Sequence, residues 1–361
     1  MIQFNPAYRT PPEPPKPSQP RRARWLLTLS LVNLLGVLVV AGLLRFASED
    51  WWRTMPLVYL PKMPLLIPSL GLIGLTAVRR VRWVPINLAS LILVLGPIMG
   101  FVLPVSRWTG PVASESQDEL RLVSCNIQAF KPNFPEVIGE LALHRPDVVV
   151  FQEVRGDDHP LLREFFKGWH VARDEFLWVG SKFPVRLIKT LESQAFSRVT
   201  GILVEVDLPA GPVRLANLHF MTARRALTEL SPEGMLDGRD RPIIESHQRL
   251  RDAEMLGARD TLELHRDGLP LIAAGDFNTP ADSSLLQRHW GDFQNAFNLA
   301  GFGFGYTSPC GPQARWFDDT PWVRIDHILC SHEWDVVRCE VGTGSGSDHR
   351  LIAATLRRRS R

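Results

Sequence analysis

Three long apolar runs within the first 105 residues constrain this chain more than any other feature. The run from Trp25 to Phe46 has no charge before Arg45, and the run from Val84 to Val105 has none at all. Roughly 20 apolar residues wound as a helix cross the hydrocarbon core of a bilayer. A second run, from about Met55 to Val78, is interrupted by Lys62 and several prolines, which leaves its upper end open. One such run could be a signal peptide or a buried helix; three in succession point to a membrane segment of about three helices over 25–105.

Flanking charge sets the expected orientation, because Lys and Arg accumulate on the cytoplasmic side. Arg9, Lys16, Arg21, Arg22 and Arg24 precede the first run, and Arg79, Arg80 and Arg82 lie between the second and third. Arg45 and Arg53, between the first two, are offset by Glu49 and Asp50. The tail and second loop are therefore expected inside the cell. Everything after the third span is expected outside the cytoplasm, provided the number of spans is odd. Trp51, Trp52 and Trp108 suit the outer interface. The Pro-rich tail 1–24 reads as disordered, and the polar stretch 106–119 as a linker.

Charge divides at the same place. Residues 1–114 hold 12 Lys+Arg and 3 Asp+Glu, whereas the remainder holds 29 and 35. A mildly acidic body suits long nucleic acid poorly, since non-specific binding draws on Lys and Arg at phosphates. The four cysteines form no C-x-x-C pair, which argues against a zinc ribbon. Cys330 and Cys339 are spaced to bridge adjacent strands or to serve as small buried hydrophobes.

From 120 to 361 a second domain is expected, rich in short apolar runs that end on polar residues. "LRLVSCNI", "PDVVVFQEV", "FLWVGSKF", "RVTGILVEVDL", "VRLANLHF", "LPLIAAGD", "VRIDHILCS", "WDVVRCEV" and "RLIAATL" read as strands. Helices are expected at Phe134–His144, at 159–169, from about Ser246 to His265, and near Ser284–His289. Alternating helices and strands with hairpin-like neighbours favour a mixed α/β domain of two packed sheets.

The strand ends carry the chemistry. Asn126, Glu153, His219, Asp276, Asn278, Asp326, Asp348 and His349 each stand beside an apolar run. Singly, each could be a turn residue or a solvated terminus; together they suit a divalent-metal and phosphate site. Side chains at i and i+2 leave a strand on one face, so Asp276 and Asn278 are expected in one pocket with Phe277 behind them.

The ordered motifs "CNIQ", "PDVVVFQEV", "NLHF", "GDFNTP", "RIDHIL" and "GSDH" resemble those of the endonuclease/exonuclease/phosphatase superfamily. The resemblance covers 120–357 and implies a four-layer αββα sandwich preceded here by the transmembrane segment. It implies Mg²⁺ (or Mn²⁺) on Glu153, with Asn126 and Asp348 nearby. It also implies Asp276 as the group that orients or deprotonates water, Asn278 on a phosphate oxygen, His349 on the phosphoryl group and held by Asp326, and His219 as a second histidine at the phosphate. His219 stands where abasic-site endonucleases carry Tyr. Gln128 replaces an Asp seen in some nucleases, which leaves a second metal open.

Three functions follow. The first is a membrane-anchored phosphodiesterase or phosphatase acting outside the cytoplasm on a lipid headgroup or small phosphate ester. The second is an extracytoplasmic nuclease acting on DNA or RNA, and the third a tethered, non-catalytic binding protein. No protein partner is expected. Arg224, Arg225, Arg239 and Arg241 are candidates for gripping a second phosphate. Phe302, Phe304, Tyr306 and Trp316 are candidates for a substrate rim or a packed loop.

Overall fold

The computed structural model of the protein describes residues 24–104, 119–131, 133–156, 159–310, 320–344 and 346–359. The expected tail, most of the linker, Trp108 and Trp316 lie outside them.

The apolar front forms helices Arg24–Gly42, Leu66–Arg79 and Val84–Leu93, which pack against one another. With their π and 3₁₀ extensions, Arg24–Ala47 and Val81–Ile98 are long and apolar enough to cross a membrane, while Met63–Arg79 is shorter. At 1.5 Å per residue that shorter helix measures ~25 Å, against ~30 Å of hydrocarbon. The second apolar run is thus split: Met55–Tyr59 is a separate short helix, and Pro61 with Lys62 separates it from the next. The outer faces are apolar and open, with Leu35 63% and Ile67 71% exposed. The buried positions include Ser30, Ser69, Thr76, Asn87 and Ser90. The Asn87 amide donates to Ser30 Oγ at 3.0 Å, and that of Asn33 to Ser69 Oγ at 3.1 Å.

The rest is a sandwich of two sheets. Its strands are β1 (Glu119–Asn126), β2 (Val148–Gln152), β3 (His170–Asp174), β4 (Leu177–Ser181), β5 (Val185–Ser193) and β6 (Arg198–Leu208). They continue with β7 (Gly211–His219), β8 (Leu271–Asp276), β9 (Gln294–Asn295), β10 (Asp326–Cys330), β11 (Trp334–Val341) and β12 (Ile352–Arg358). One sheet runs β11-β12-β1-β2-β4-β3, the other β5-β6-β7-β8-β10-β9. The two inner faces meet in one core, which includes Leu122, Val150, Ile202, Leu215, Ile272 and Ile328. Helix Arg241–Leu264 packs its apolar stripe outside the second sheet, and Phe134–Leu143 outside the first. β2 and β8 are buried at every position, as strands covered on both faces must be. That is why they read as unbroken apolar runs.

Register gathers the polar strand ends. β1 and β2 are parallel with Asn126 opposite Gln152, and β7 and β8 are parallel with His219 opposite Asp276. β10 runs antiparallel to β8, so its first residue, Asp326, faces Asp276. β12 is antiparallel to β1, which brings the preceding Asp348 and His349 to the same edge. Beneath that edge a buried bridge ties the sheets together. Gln152 Nε2 donates to Asn217 Oδ1 at 2.6 Å, and Asn217 Nδ2 donates to the Phe151 carbonyl at 2.8 Å.

All four cysteines are buried and none is in a disulfide. Cys330 and Cys339 lie on strands of different sheets, so they are not the adjacent-strand pair that their spacing suggests.

Candidate active site

The turn after β8 is built by one glycine and one asparagine. Gly275 has φ +143°, and a Cβ there would lie 2.0 Å from the Leu218 carbonyl oxygen. Only glycine lets β8 approach β7 this closely and deliver Asp276 beside His219. The chain then leaves the strand, because Asn278 takes φ +49°. Its backbone N–H donates to Asp276 Oδ1 at 2.9 Å, and its amide donates to Asp276 Oδ2 at 3.1 Å and to the Phe220 carbonyl at 3.0 Å. Asp276 and Asn278 do meet, but through a left-handed Asx turn rather than through strand alternation. Phe277 is fully buried and packs edge-on against Phe220 and Trp290.

A chain of polar contacts runs along the sandwich edge. Asp326 Oδ2 lies 2.9 Å from His349 Nδ1, and His349 Nε2 lies 3.8 Å from Asp276 Oδ2. The Asn126 amide donates to Asp276 Oδ2 at 3.1 Å and to Glu153 Oε1 at 3.0 Å. His219 Nε2 lies 3.6 Å from Asp276 and 3.7 Å from Glu153. Glu153 is itself left-handed at φ +57°, a conformation rare outside glycine and concentrated at functional turns. Ser347 Oγ donates to the Asn126 carbonyl at 2.7 Å and so holds the "SDH" loop against β1. The structure therefore brings all eight sequence-derived residues to one edge.

Burial and charge make these groups unequal. Burial raises Asp276 to about 7, opposed by His349 and assisted by Asp326. His349 feels the opposite balance. Burial disfavours its charge, but the carboxylates of Asp326 and Asp276 prevail and push it up to about 10. Burial and then Arg198 push His219 down to about 3. At neutral pH the two histidines are thus a buried imidazolium, His349, and a neutral imidazole, His219. Asp348 is raised by burial, opposed by His349, and raised further by the charge of Glu153.

Sequence reasoning missed two arginines here. Arg198 donates to the His219 carbonyl at 2.9 Å and sits 3.4 Å from its Nδ1. Arg251, on helix Arg241–Leu264, is 1% exposed and donates to the Asn278 carbonyl at 2.9 Å and to Thr279 Oγ1 at 2.7 Å. Its other nitrogen lies 3.0 Å from Glu49, which is 2% exposed and also bonds Tyr59 and Ser283. Glu49 belongs to the loop after the first apolar helix, so a side chain from the front third braces the turn that carries Asn278. No local signal reveals a pair 202 residues apart.

Of the four expected basic residues, Arg239 pairs locally with Asp237 and Arg241 with Glu245, each at 2.7 Å. The aromatic loop packs on the end of the bundle instead of forming a free rim. Phe101 meets Phe304 at 5.0 Å and Phe302 at 5.7 Å, and Tyr306 donates to the Met99 carbonyl at 2.9 Å.

A model of the Endonuclease/Exonuclease/phosphatase family matches residues 123–349, the span that holds every residue of this edge. The chain belongs to that family. It is accordingly a metal-dependent phosphoric ester hydrolase. Among solved structures it is similar to truncated TDP2 of Caenorhabditis elegans, at 17% identity over 66% of this chain and 98% of that one, with a TM-score of 0.51. A family protein of Bacteroides thetaiotaomicron is similar at 14% identity over 67% and 98%, with a TM-score of 0.50. Both likenesses concern the fold. No curated protein matches the chain.

The edge fits a divalent cation. Glu153, Asp276, Asp326 and Asp348 gather around one buried imidazolium, and Asp326 Oδ1 is buried without a partner. Oxygen-rich, carboxylate-bearing sets are what hard cations bind. The tightest group among the described residues is Asp276, Asp326 and His349, whose donor atoms lie within 4.8 Å of one another. There His349 already bonds Asp326 and supplies positive charge. Glu153 and Asp348 repel each other, and at Asp348 the charges of His349 and Arg224 offset part of that repulsion.

Proposed function

We propose that this protein is a membrane-anchored phosphodiesterase or phosphomonoesterase whose catalytic body lies outside the cytoplasm. Its substrate is a lipid headgroup or another small phosphate ester. The reading rests above all on the Asp326–His349–Asp276 alignment joined through Asn126 to Glu153.

Glu153 and Asp348, with Asn126 beside them, would hold Mg²⁺ or Mn²⁺, which when bound neutralises charge on the ester's non-bridging oxygens. Asp276 takes a proton from the attacking water as its oxygen bonds to phosphorus. The phosphorus–oxygen bond to the leaving group breaks, and that oxygen is protonated from solvent, leaving an alcohol and a phosphate with one ester fewer. His349, kept cationic by Asp326, donates from Nε2 toward the phosphoryl oxygens, where charge builds in the transition state. His219 contributes a neutral imidazole, and Asn278 a fixed amide dipole. A base placed this way is worth typically ~10²–10⁴-fold.

Membrane anchoring is supported by the polarity of the bundle: apolar side chains on the open faces, and hydroxyls and amides buried beside an apolar core of Val37, Val94 and Ile98. Polar side chains bonded between helices are the arrangement expected in lipid. The basic Arg79–Arg82 turn against the Glu49–Asp50 loop supports an outward-facing catalytic body.

The test uses the full chain in detergent with Mg²⁺ or Mn²⁺, against bis-p-nitrophenyl phosphate, sphingomyelin, phosphatidylinositol phosphates, plasmid DNA and RNA. Lipid or small-ester turnover lost in Glu153→Ala is the expected result. DNA cleavage with the same dependence would install the nuclease, and absence of turnover on all of them the tethered binder. A reporter fused at residue 110 should read as extracytoplasmic; a cytoplasmic signal would reverse the topology.

A further inference from the structure

An apolar cleft of about 510 Å³ adjoins the active site. Its first wall is Pro56–Pro61, including Tyr59 and Leu60, the stretch that leads from the short helix Met55–Tyr59 toward Met63–Arg79. The second is the pair of short helices Arg224–Thr228 and Pro232–Asp237 with the turn that joins them, contributing Leu227, Leu230 and Met235. The third is the strip Trp322–Ile325. Trp322 Nε1 donates to the Tyr59 carbonyl at 3.1 Å, which fixes the first wall to the third. Two of these walls, the bundle loop and the helices inserted after β7, lie outside the sandwich sheets.

Two polar groups give the cleft a direction. Asn278, held against Asp276, lines it and joins it to the carboxylate edge. Arg224 is the one charged residue among the described lining, and its charge also acts on Asp348. A cation thus stands where the carboxylate edge meets the apolar walls. In the other direction the apolar surface continues onto the bundle through Leu60, Met63 and Ile67, which are 54%, 36% and 71% exposed. The volume lies within the ~300–1,000 Å³ usual for small-molecule sites, which pair apolar walls with a few placed polar groups.

We propose that this cleft holds the hydrocarbon part of a membrane-resident phosphate ester, with the phosphate between Arg224 and the Asp276–His349–Glu153 edge. The substrate class is then a lipid phosphoester. A nucleotide would leave the apolar walls wetted by sugar hydroxyls and a second phosphate, with Arg224 as the only cation among the described lining residues. This inference rests on the hydrolase reading above, and the experiment separates the two.

The full chain in dodecyl maltoside with Mg²⁺ is given three esters of p-nitrophenol that break the same bond: methyl, dodecyl and thymidine 5′-p-nitrophenyl phosphate. The dodecyl ester should exceed the methyl ester by about 100-fold in kcat/KM, chiefly through KM, the equivalent of roughly three to four methylenes buried at ~0.8 kcal/mol each beyond what the micelle already gives the chain. Leu230→Trp, which fills the cleft, and Leu227→Asn, which wets it, should each bring the dodecyl-to-methyl ratio down about tenfold or more. A ratio near one in the unmodified chain, a ratio untouched by both variants, or a preference for the thymidine ester would overturn the proposal. Hydrolysis of none of the three would overturn the hydrolase reading, and the cleft is then judged by binding alone. A dodecyl phosphate brominated along its chain should quench tryptophan emission, and Trp322→Phe should remove most of that quenching. Absence of quenching, or quenching unchanged in Trp322→Phe, would dismiss the cleft as the chain's seat whatever the enzyme hydrolyses.

Discussion

The helical bundle and the sandwich obey opposite polarity rules within one chain. In the sandwich, Leu122, Val150, Ile202 and Ile272 are buried between sheets, and buried charges such as Arg214 are paired, here with Glu205 and Asp267. In the bundle, Leu35 and Ile67 face outward while Asn87, Ser30 and Ser69 are buried. Apolar burial against water drives the first arrangement. In lipid, where we propose that the bundle sits, there is no such drive, and association depends on close packing and interhelical hydrogen bonds. On that reading the two halves answer to different solvents. Their seam is where both rule sets must be satisfied together, and Glu49 lies on it.

Breaking the catalytic edge should have the largest effect and leave the bundle untouched. Glu153→Ala and chelation by EDTA should each abolish hydrolysis, with Mg²⁺ or Mn²⁺ restoring the chelated enzyme only. Circular dichroism of the chelated protein should be unchanged. Turnover that survives both would remove the metal from the account.

Asp276→Asn separates activity from stability inside the sandwich. Turnover should fall by ~10²–10⁴-fold, while the metal-free protein becomes more stable at high pH. The sign follows from linkage: the folded carboxyl titrates near 7, above its unfolded value near 3.8. Native stability therefore declines as pH rises from about 4 to about 7 and stays low beyond. Asn carries no such loss. The gain should be absent below pH 4 and complete above pH 7, at most ~4 kcal/mol. Equal stability of the two proteins at pH 8 would contradict a buried, raised Asp276.

Glu49→Ala sharpens the comparison at the seam. It leaves Arg251 buried without its ion-pair partner, a kind of change that costs ~3–5 kcal/mol, and it loosens the turn that holds Asn278. Thermal unfolding in detergent should show the loss, and kcat for bis-p-nitrophenyl phosphate should drop about tenfold. Residues 115–361 alone should show both defects. Wild-type kinetics from that fragment would mean that the halves are merely tethered.

Asn87→Ala should have the smallest effect, ~0.6–1 kcal/mol of bundle stability, with catalysis unchanged. A large activity loss would mean that the bundle interior is coupled to the site.

Much of this was legible because strand ends are local events. "LIAAGD", "VVVFQE" and "NLHF" place their polar residues beside apolar runs, and register does the rest. β3 and β5 were missed because their exposed, charged positions break the apolar pattern. The turn at Asn278 was misread because alternation was extended two residues past the end of the strand. The neutral state of His219 comes from its burial in the fold and then from Arg198, which is 21 residues away. Glu49 looked like a loop charge balancing Arg45 and Arg53. Only the fold places it against Arg251.

That placement has a consequence for where the chemistry can happen. The catalytic turn leans on a carboxylate that is not part of the catalytic body, so the body cannot be shed as a free enzyme at full strength. A protease nick between the halves would leave them clasped, whereas true separation would disarm the hydrolase. On the proposed membrane reading, its reach is set by the bundle's address rather than by diffusion.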